Sequence, residues 1–196
     1  LIPNLCSEYH NDIPYISSTP IGGALPFHTN SGVSHYYGVG AYQRSIRELR
    51  NHDVKFTAET LGFSNVPVAQ TRNHVFKEET PVVHDARWKL RTPRDSGTGW
   101  DFEDIRDFYF GKIFNQNPAQ LRYSDSDRYF KLSEIVTGQL MHQAFSEWRS
   151  SYSNCAGGLI WFLKDFWPGA GWGILDSFGK PKACYYYLKR VWQPIS

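Results

Sequence analysis

Residues 157–172, Gly-Gly-Leu-Ile-Trp-Phe-Leu-Lys-Asp-Phe-Trp-Pro-Gly-Ala-Gly-Trp, lead from a glycine pair through a short apolar run into a loop rich in tryptophan. The run at 159–163, with glycines in front and a Pro-Gly turn behind, predicts a buried strand. The loop behind it is unusual for a turn. Trp161, Trp167 and Trp172 surround Asp165, so flat aromatic faces and one carboxylate gather at the carboxyl end of a strand, where α/β barrels keep their active sites. Such faces suit the C–H side of a sugar ring, and the carboxylate suits its hydroxyls. Any one of these tryptophans taken alone reads as core packing, but three about a single aspartate favour the sugar.

The bulk properties set limits around that stretch. A chain of 196 residues can bury one substantial core, yet it falls short of the roughly 250 residues of a complete (β/α)8 barrel. Net charge is +2, from 21 basic and 19 acidic residues. No basic block is interleaved with aromatics, which argues against nucleic acid as a partner. No run approaches the ~18 apolar residues of a membrane span. The start, Leu-Ile-Pro-Asn-Leu-Cys, has neither an initiator Met nor the pattern of a signal peptide, so the expectation is a chain that begins inside something longer. Cys6, Cys155 and Cys184 show no metal spacing and form an odd count, against both a disulfide framework and a structural zinc. The compartment is left open. Aromatic residues reach 16%, with 7 Trp and 12 Tyr, a composition that fits carbohydrate contact as well as a core.

Along the chain, Pro14-Tyr15-Ile16-Ser17 reads as a short strand, and a glycine-rich polar loop continues from Ile21 to about Ser34, long enough to suggest function. Tyr36-Tyr37-Gly38-Val39 is a second strand candidate. Residues 42–51 carry Ile46 and Leu49 at helical spacing. Residues 54–59 alternate apolar and polar as a strand should, and this strand delivers Glu59 to its carboxyl end. From Pro67 to about Asp125 the pattern loosens, with Pro81, Pro93, Gly97 and Gly99 punctuating a polar excursion that holds one helix at 101–114. Inside a barrel such an excursion would be a long loop over the site, although a solvated role suits the Arg and Asp residues of 94–107 better. A helix spans about 126–149, with Leu132, Ile135, Val136, Leu140, Phe145 and Trp148 on a broad apolar face. Residues 181–191 predict a closing helix with Pro at its first turn, where Tyr185, Tyr186 and Tyr187 read as packing residues. The element order suits part of a parallel α/β barrel.

Four blocks carry a family likeness: Asp12-Ile13-Pro14-Tyr15-Ile16-Ser17-Ser18-Thr19-Pro20, Ser34-His35-Tyr36-Tyr37-Gly38-Val39, Phe56-Thr57-Ala58-Glu59-Thr60-Leu61-Gly62-Phe63-Ser64-Asn65-Val66-Pro67, and Gly158-Leu159-Ile160-Trp161-Phe162-Leu163-Lys164-Asp165-Phe166-Trp167-Pro168. The last continues into Trp172-Gly173-Ile174-Leu175-Asp176-Ser177-Phe178-Gly179-Lys180-Pro181-Lys182-Ala183. In this order, and over nearly the whole chain, they resemble the C-terminal half of the catalytic barrel of glycoside hydrolase family 2, in its β-mannosidase-like branch. The resemblance implies an α/β fold, the C-terminal part of a (β/α)8 TIM barrel with strands about 5 to 8 in residues 1–196. It also implies that the upstream half and flanking β-sandwich domains lie outside this chain.

The implied activity is that of a retaining exo-β-glycosidase, most closely a β-mannosidase, in which one carboxylate attacks the anomeric carbon and a second protonates the leaving oxygen. The nucleophile falls on Glu59, although Ala58 replaces the usual Ser and Thr60-Leu61 stand where mannosidases often have one residue. Without the resemblance, Glu59 would be a solvated or salt-bridged strand-end carboxylate. The acid/base belongs to an Asn-Glu pair that this chain lacks; family order puts it upstream of Leu1, and Glu8 is a poor substitute. Trp161 is implied under the sugar, with Asp165, Trp167 and Trp172 in the loop over it, and His35 and Tyr36 at the sugar hydroxyls or the nucleophile. A hydrogen-bonded structural role weighs equally for His35. No cofactor and no metal are implied, since His-Glu-x-x-His, Gly-x-Gly-x-x-Gly and Gly-x-Ser-x-Gly are all missing. The expected partner is a carbohydrate substrate, together with the missing barrel half or another chain copy to cover open strand edges. The competing expectation is a non-catalytic carbohydrate-binding remnant.

Overall fold

The computed structural model describes residues 1–77 and 85–194, so Pro81 of the polar excursion lies outside the described residues. In chain order the elements are α1 (Ile2–Tyr9), β1 (Ser34–Tyr36), α2 (Glu48–Asn51), β2 (Thr57–Thr60), α3 (Ala69–Phe76), α4 (Ala86–Lys89), α5 (Phe102–Phe114), α6 (Pro118–Ser124), α7 (Ser126–Trp148) and α8 (Ala183–Val191).

The long helices begin where their caps dictate. Asp101 accepts from the backbone N–H of Glu103 and Asp104, and the Asp104 side chain accepts from the Asp101 N–H at 2.8 Å, a reciprocal capping box that starts α5. Asn115 closes it in the left-handed conformation at φ 51°. Asp125 caps α7 through the Arg128 N–H. Along α7, Val136, Leu140, Met141, Ala144, Phe145 and Trp148 are buried, with Leu132 half-buried beside them. Helix α8 packs on this helix through Leu188 and Val191. The approach is close at Gly138, where a Cβ would lie 2.5 Å from the Tyr187 ring.

β1 and β2 are parallel and pair in the register Ser34 to Thr57, His35 to Glu59, and Tyr36 to Thr60. The step from Ser34 to His35 spans two residues on β2, so Ala58 is the extra residue of a bulge. The Thr57 hydroxyl fills the gap, accepting from the Tyr36 N–H at 3.1 Å and donating to the Glu59 carbonyl at 2.7 Å. A third extended segment lies on the other side of β2. Gly158 bridges Thr57 in parallel, and the N–H groups of Leu159 and Trp161 reach the carbonyls of Thr57 and Thr60. The approach is tight at Gly158, where a Cβ would lie 3.0 Å from Thr57 Cγ2.

Several expectations need correction. Residues 159–163 are an extended segment and not a buried strand: Leu159, Trp161 and Leu163 are exposed while Ile160 and Phe162 are half-buried. That alternation marks a sheet covered by helices on one face only, whereas burial of both faces needs cover on both. Residues 14–17 form no strand, and Ile13, Tyr15 and Ile16 are exposed. The second strand candidate sits two residues early, at Ser34–Tyr36. The helix expected at 42–51 shrinks to Glu48–Asn51, because the N–H groups of Tyr42 and Arg44 turn back to the carbonyls of Tyr37 and Gly38. The closing helix starts at Ala183, since Pro181 is engaged in a bridge with Leu175. Within 67–125 the chain forms α3, α4 and α6 as well as the expected α5. The described residues therefore give a parallel strand pair with an extended neighbour, backed by helices, and no closed ring of strands.

The loop before α5 is tied to the core by a buried carboxylate. Glu103 accepts from Trp88 Nε1 at 2.7 Å and lies 3.0, 2.8 and 2.6 Å from Arg106, Arg122 and Lys89. Burial alone would raise its carboxyl, but Arg106, Arg122 and Lys89 outweigh that and hold it at about 2. Lys89 also reaches Asp101 at 2.8 Å, joining the loop to the cap of α5.

Candidate active site

The bulge decides which side chains meet at the carboxyl end of β2. With Ala58 inserted, Glu59 stands directly beside His35, and side chains two apart on β1 share a face. His35 and Tyr37 accordingly both reach Glu59. The Tyr37 hydroxyl donates to Glu59 Oε2 at 2.7 Å, and His35 Nδ1 lies 3.5 Å from the same oxygen. The Tyr37 hydroxyl is pushed up, by burial first and by its bond to Glu59 second, so it remains a donor wherever the protein is folded. His35 Nε2 is buried without a partner among the described residues.

Glu59 opens into a cavity of about 360 Å³ lined by Phe27, Tyr37, Ala41, Tyr42, Gly62, Asp95, Phe102, Trp161 and Trp172. The volume lies within the range of small-molecule sites. Trp161 is 41% exposed, and its neighbour Trp172 packs edge-on against Phe102 at 5.1 Å. A larger cavity of about 750 Å³ lies at the amino ends of β2 and of the 158–161 segment. There Glu147 already faces Arg50 at 3.6 Å and Asp53 faces Lys55 at 3.7 Å, so it offers no uncommitted carboxylate beside an aromatic wall. Among the described residues no group of three or more His, Cys, Asp or Glu could hold a metal ion, and no helix is long and apolar enough to cross a membrane.

The structure thus brings Glu59, His35, Trp161 and Trp172 together and leaves three expected residues apart. Tyr36 points the other way along β1: it is buried, donates to Glu48 at 3.3 Å and packs on Trp148. Asp165 is buried against Lys182 at 2.5 Å and accepts from the Gly173 N–H. Burial pushes the Asp165 carboxyl up and the Lys182 ammonium down. Yet Lys182 donates only to acceptors, Asp165, the Asn65 carbonyl and the Gly171 carbonyl, a set that a charged ammonium satisfies. Asp165 therefore shapes the loop rather than the cavity. Trp167 lies outside that cavity too, with Arg91 stacked 5.2 Å from its ring, in a separate cleft bordered by Trp172. Sequence reasoning missed Tyr37, Tyr42, Phe27 and Phe102, and read Asp95, among the Arg and Asp residues of 94–107, as solvated. Strand alternation from His35 would have selected Tyr37 over Tyr36; Phe27, Tyr42 and Asp95 arrive on loops with no periodic signal, and Phe102 on the first turn of α5.

No family model matches the chain. Over 100 residues, 49% of this chain, it is 32% identical to beta-mannosidase B of Aspergillus niger and to that of Aspergillus terreus, and the match covers 12% of each. Among solved structures, a beta-D-mannosidase from Dictyoglomus thermophilum matches 97% of this chain with a TM-score of 0.77 and 25% identity, over 22% of the bacterial chain. The chain therefore spans only a small part of the length of the relatives it matches. By sequence over about half its length, and by three-dimensional likeness over nearly all of it, the chain is similar to part of beta-mannosidases.

Proposed function

We propose that the protein carrying this chain is a retaining exo-β-glycosidase that hydrolyses terminal β-mannosides, with Glu59 as its nucleophile. One observation carries the reading: Glu59 is fixed by Tyr37 and His35 at the wall of a cavity that it shares with Trp161. The relatives' names supply the sugar. In this reading β1, β2 and the 158–161 segment are neighbouring strands of a (β/α)8 barrel, whose sites lie at the carboxyl ends of its strands. The exposed face bearing Leu159 and Leu163 is then covered by the rest of that barrel.

The chemistry rests on this geometry. Glu59 Oε2 accepts the Tyr37 hydroxyl, while Oε1 accepts no hydrogen bond among the described residues. Oε1 attacks the anomeric carbon of a sugar resting on Trp161, and the bond to the leaving oxygen breaks as an acid protonates that oxygen. Water then cleaves the glycosyl ester, and Tyr37 stabilises the carboxylate as it leaves. The acid/base is a carboxylate from outside this chain, about 5–5.5 Å from Glu59 as retention requires. A 2-deoxy-2-fluoro aryl β-mannoside tests the assignment, because the fluorine slows hydrolysis of the ester. Mass spectrometry should find one sugar on the peptide containing Glu59. Labelling of another carboxylate, or none with turnover intact, would reject it.

A further inference from the structure

Asp95 stands on a short turn that α5 holds in place. The Pro93 carbonyl accepts from the Phe102 N–H at 3.0 Å, and the Asp95 carbonyl accepts from the backbone N–H of Thr98 at 3.2 Å and from its hydroxyl at 2.9 Å. Arg94, the adjacent cation, faces Asp101 at 3.7 Å. The Asp95 side chain therefore has no committed partner among the described residues, yet it lines the same cavity as Glu59 and Trp161. Its negative charge is felt there, being among the influences that push the Tyr37 hydroxyl up.

Glu59 and Asp95 both line this cavity, and among the described residues no Lys or Arg lines it; the imidazole of His35 lies 3.5 Å from Glu59. Whatever fills the space has to bring donors. A carboxylate has two acceptor oxygens and binds two neighbouring O–H groups at once, while an anionic sugar would meet two like charges. We propose that Asp95 is a specificity-determining residue that binds a pair of adjacent hydroxyls on an uncharged pyranose held between Glu59 and Trp161. This rests on reading the cavity as the glycosidase site.

The test uses the intact protein with Asp95→Ala and Asp95→Asn, assayed on an aryl β-mannoside and on its monodeoxy analogues. Asp95→Ala should lower kcat/KM by about 10- to 100-fold, the range for hydrogen bonds to a charged group, with Asp95→Asn in between. The unsubstituted protein should lose a similar factor on the deoxy sugars that lack the contacted hydroxyls, and Asp95→Ala should no longer distinguish those sugars from the parent. Because the side chain is exposed and unpaired, thermal stability should not change. Activity of Asp95→Ala within about two-fold on every sugar, or an equal loss on all the deoxy sugars, would overturn the proposal while Glu59→Gln remains inactive. Full activity of Glu59→Gln would overturn both this proposal and the reading beneath it.

Discussion

Glu59 and Glu103 are the same side chain in opposite settings. Glu59 is 30% exposed at a strand end, with a hydroxyl and an imidazole beside it and no Lys or Arg within ion-pair distance among the described residues. Glu103 is 2% exposed and lies among Arg106, Arg122 and Lys89. A hydroxyl donor positions a carboxylate and leaves its charge unspent, whereas three cations offset it. A reactive anion needs the first arrangement and a structural staple needs the second.

Exchanging carboxylate for amide at each site is the sharpest way to break that contrast. Glu59→Gln keeps an acceptor for Tyr37 but removes the charge, so kcat should fall by on the order of 10⁴-fold or more, with stability unchanged within ~0.5 kcal/mol. Steady-state kinetics and a melting curve on one sample decide it. Glu103→Gln should do the reverse. It takes the carboxylate they share away from the buried Arg106 and Arg122 and from the half-buried Lys89, at a cost of about 3–5 kcal/mol, on the order of 10 °C in Tm, and residual activity should follow the folded fraction.

The two settings differ in pH dependence as well. Glu103 is held at about 2 against an ordinary value of 4.5. The unfolded chain therefore binds the extra proton between those values, and stability falls as pH drops through that window. The contribution, about 3 kcal/mol, is fully present above 4.5 and lost by about 2. Denaturant titrations should show this acid limb in the wild type and a flatter one in Glu103→Gln; identical limbs would show that the cations do not depress this group. A smaller effect belongs to Tyr37→Phe. It removes one hydrogen bond to Glu59 and should cost about 10-fold in kcat/KM with Tm little changed. A Tm loss as large as that of Glu103→Gln would put Tyr37 with the staple and not with the site.

The sequence revealed the staple region and the site unequally. Helices α5 and α7 were readable to within a residue, α7 from the apolar face that repeats along it; the caps at Asp101 and Asp125 that set their starts are seen in the structure. Glu103 itself was unreadable, since its cations come from α4, α5 and α6 and meet only in space. Glu59 and Trp161 were singled out by sequence blocks that resemble a family, and the structure puts both on the wall of one cavity. Asp165 and Trp167 lie only four and six residues beyond Trp161, yet the loop turns them toward Lys182 and Arg91. Sequence proximity fixes reach within a strand, where alternation is strict, but not beyond it, where each loop residue follows its own partners.

Thr57 lies two residues before Glu59 on β2, and it tests whether the site depends on the bulge or only on the residues around it. Its hydroxyl replaces the ladder bond that Ala58 displaces, joining the Tyr36 N–H to the Glu59 carbonyl. Its methyl meets the 158–161 segment. Thr57→Val preserves the volume and leaves the Tyr36 N–H buried and unpaired, so stability should fall by about 1–2 kcal/mol. If the bulge aims Glu59 at the cavity, kcat should fall by a further few-fold in the fully folded fraction, because small displacements of a reacting group are costly. Thr57→Ser restores the hydroxyl and should recover the rate while losing only the methyl contact. Equal rates for the valine and serine variants, each corrected for folded fraction, would show that the strand pair alone holds Glu59 and that the hydroxyl serves stability only.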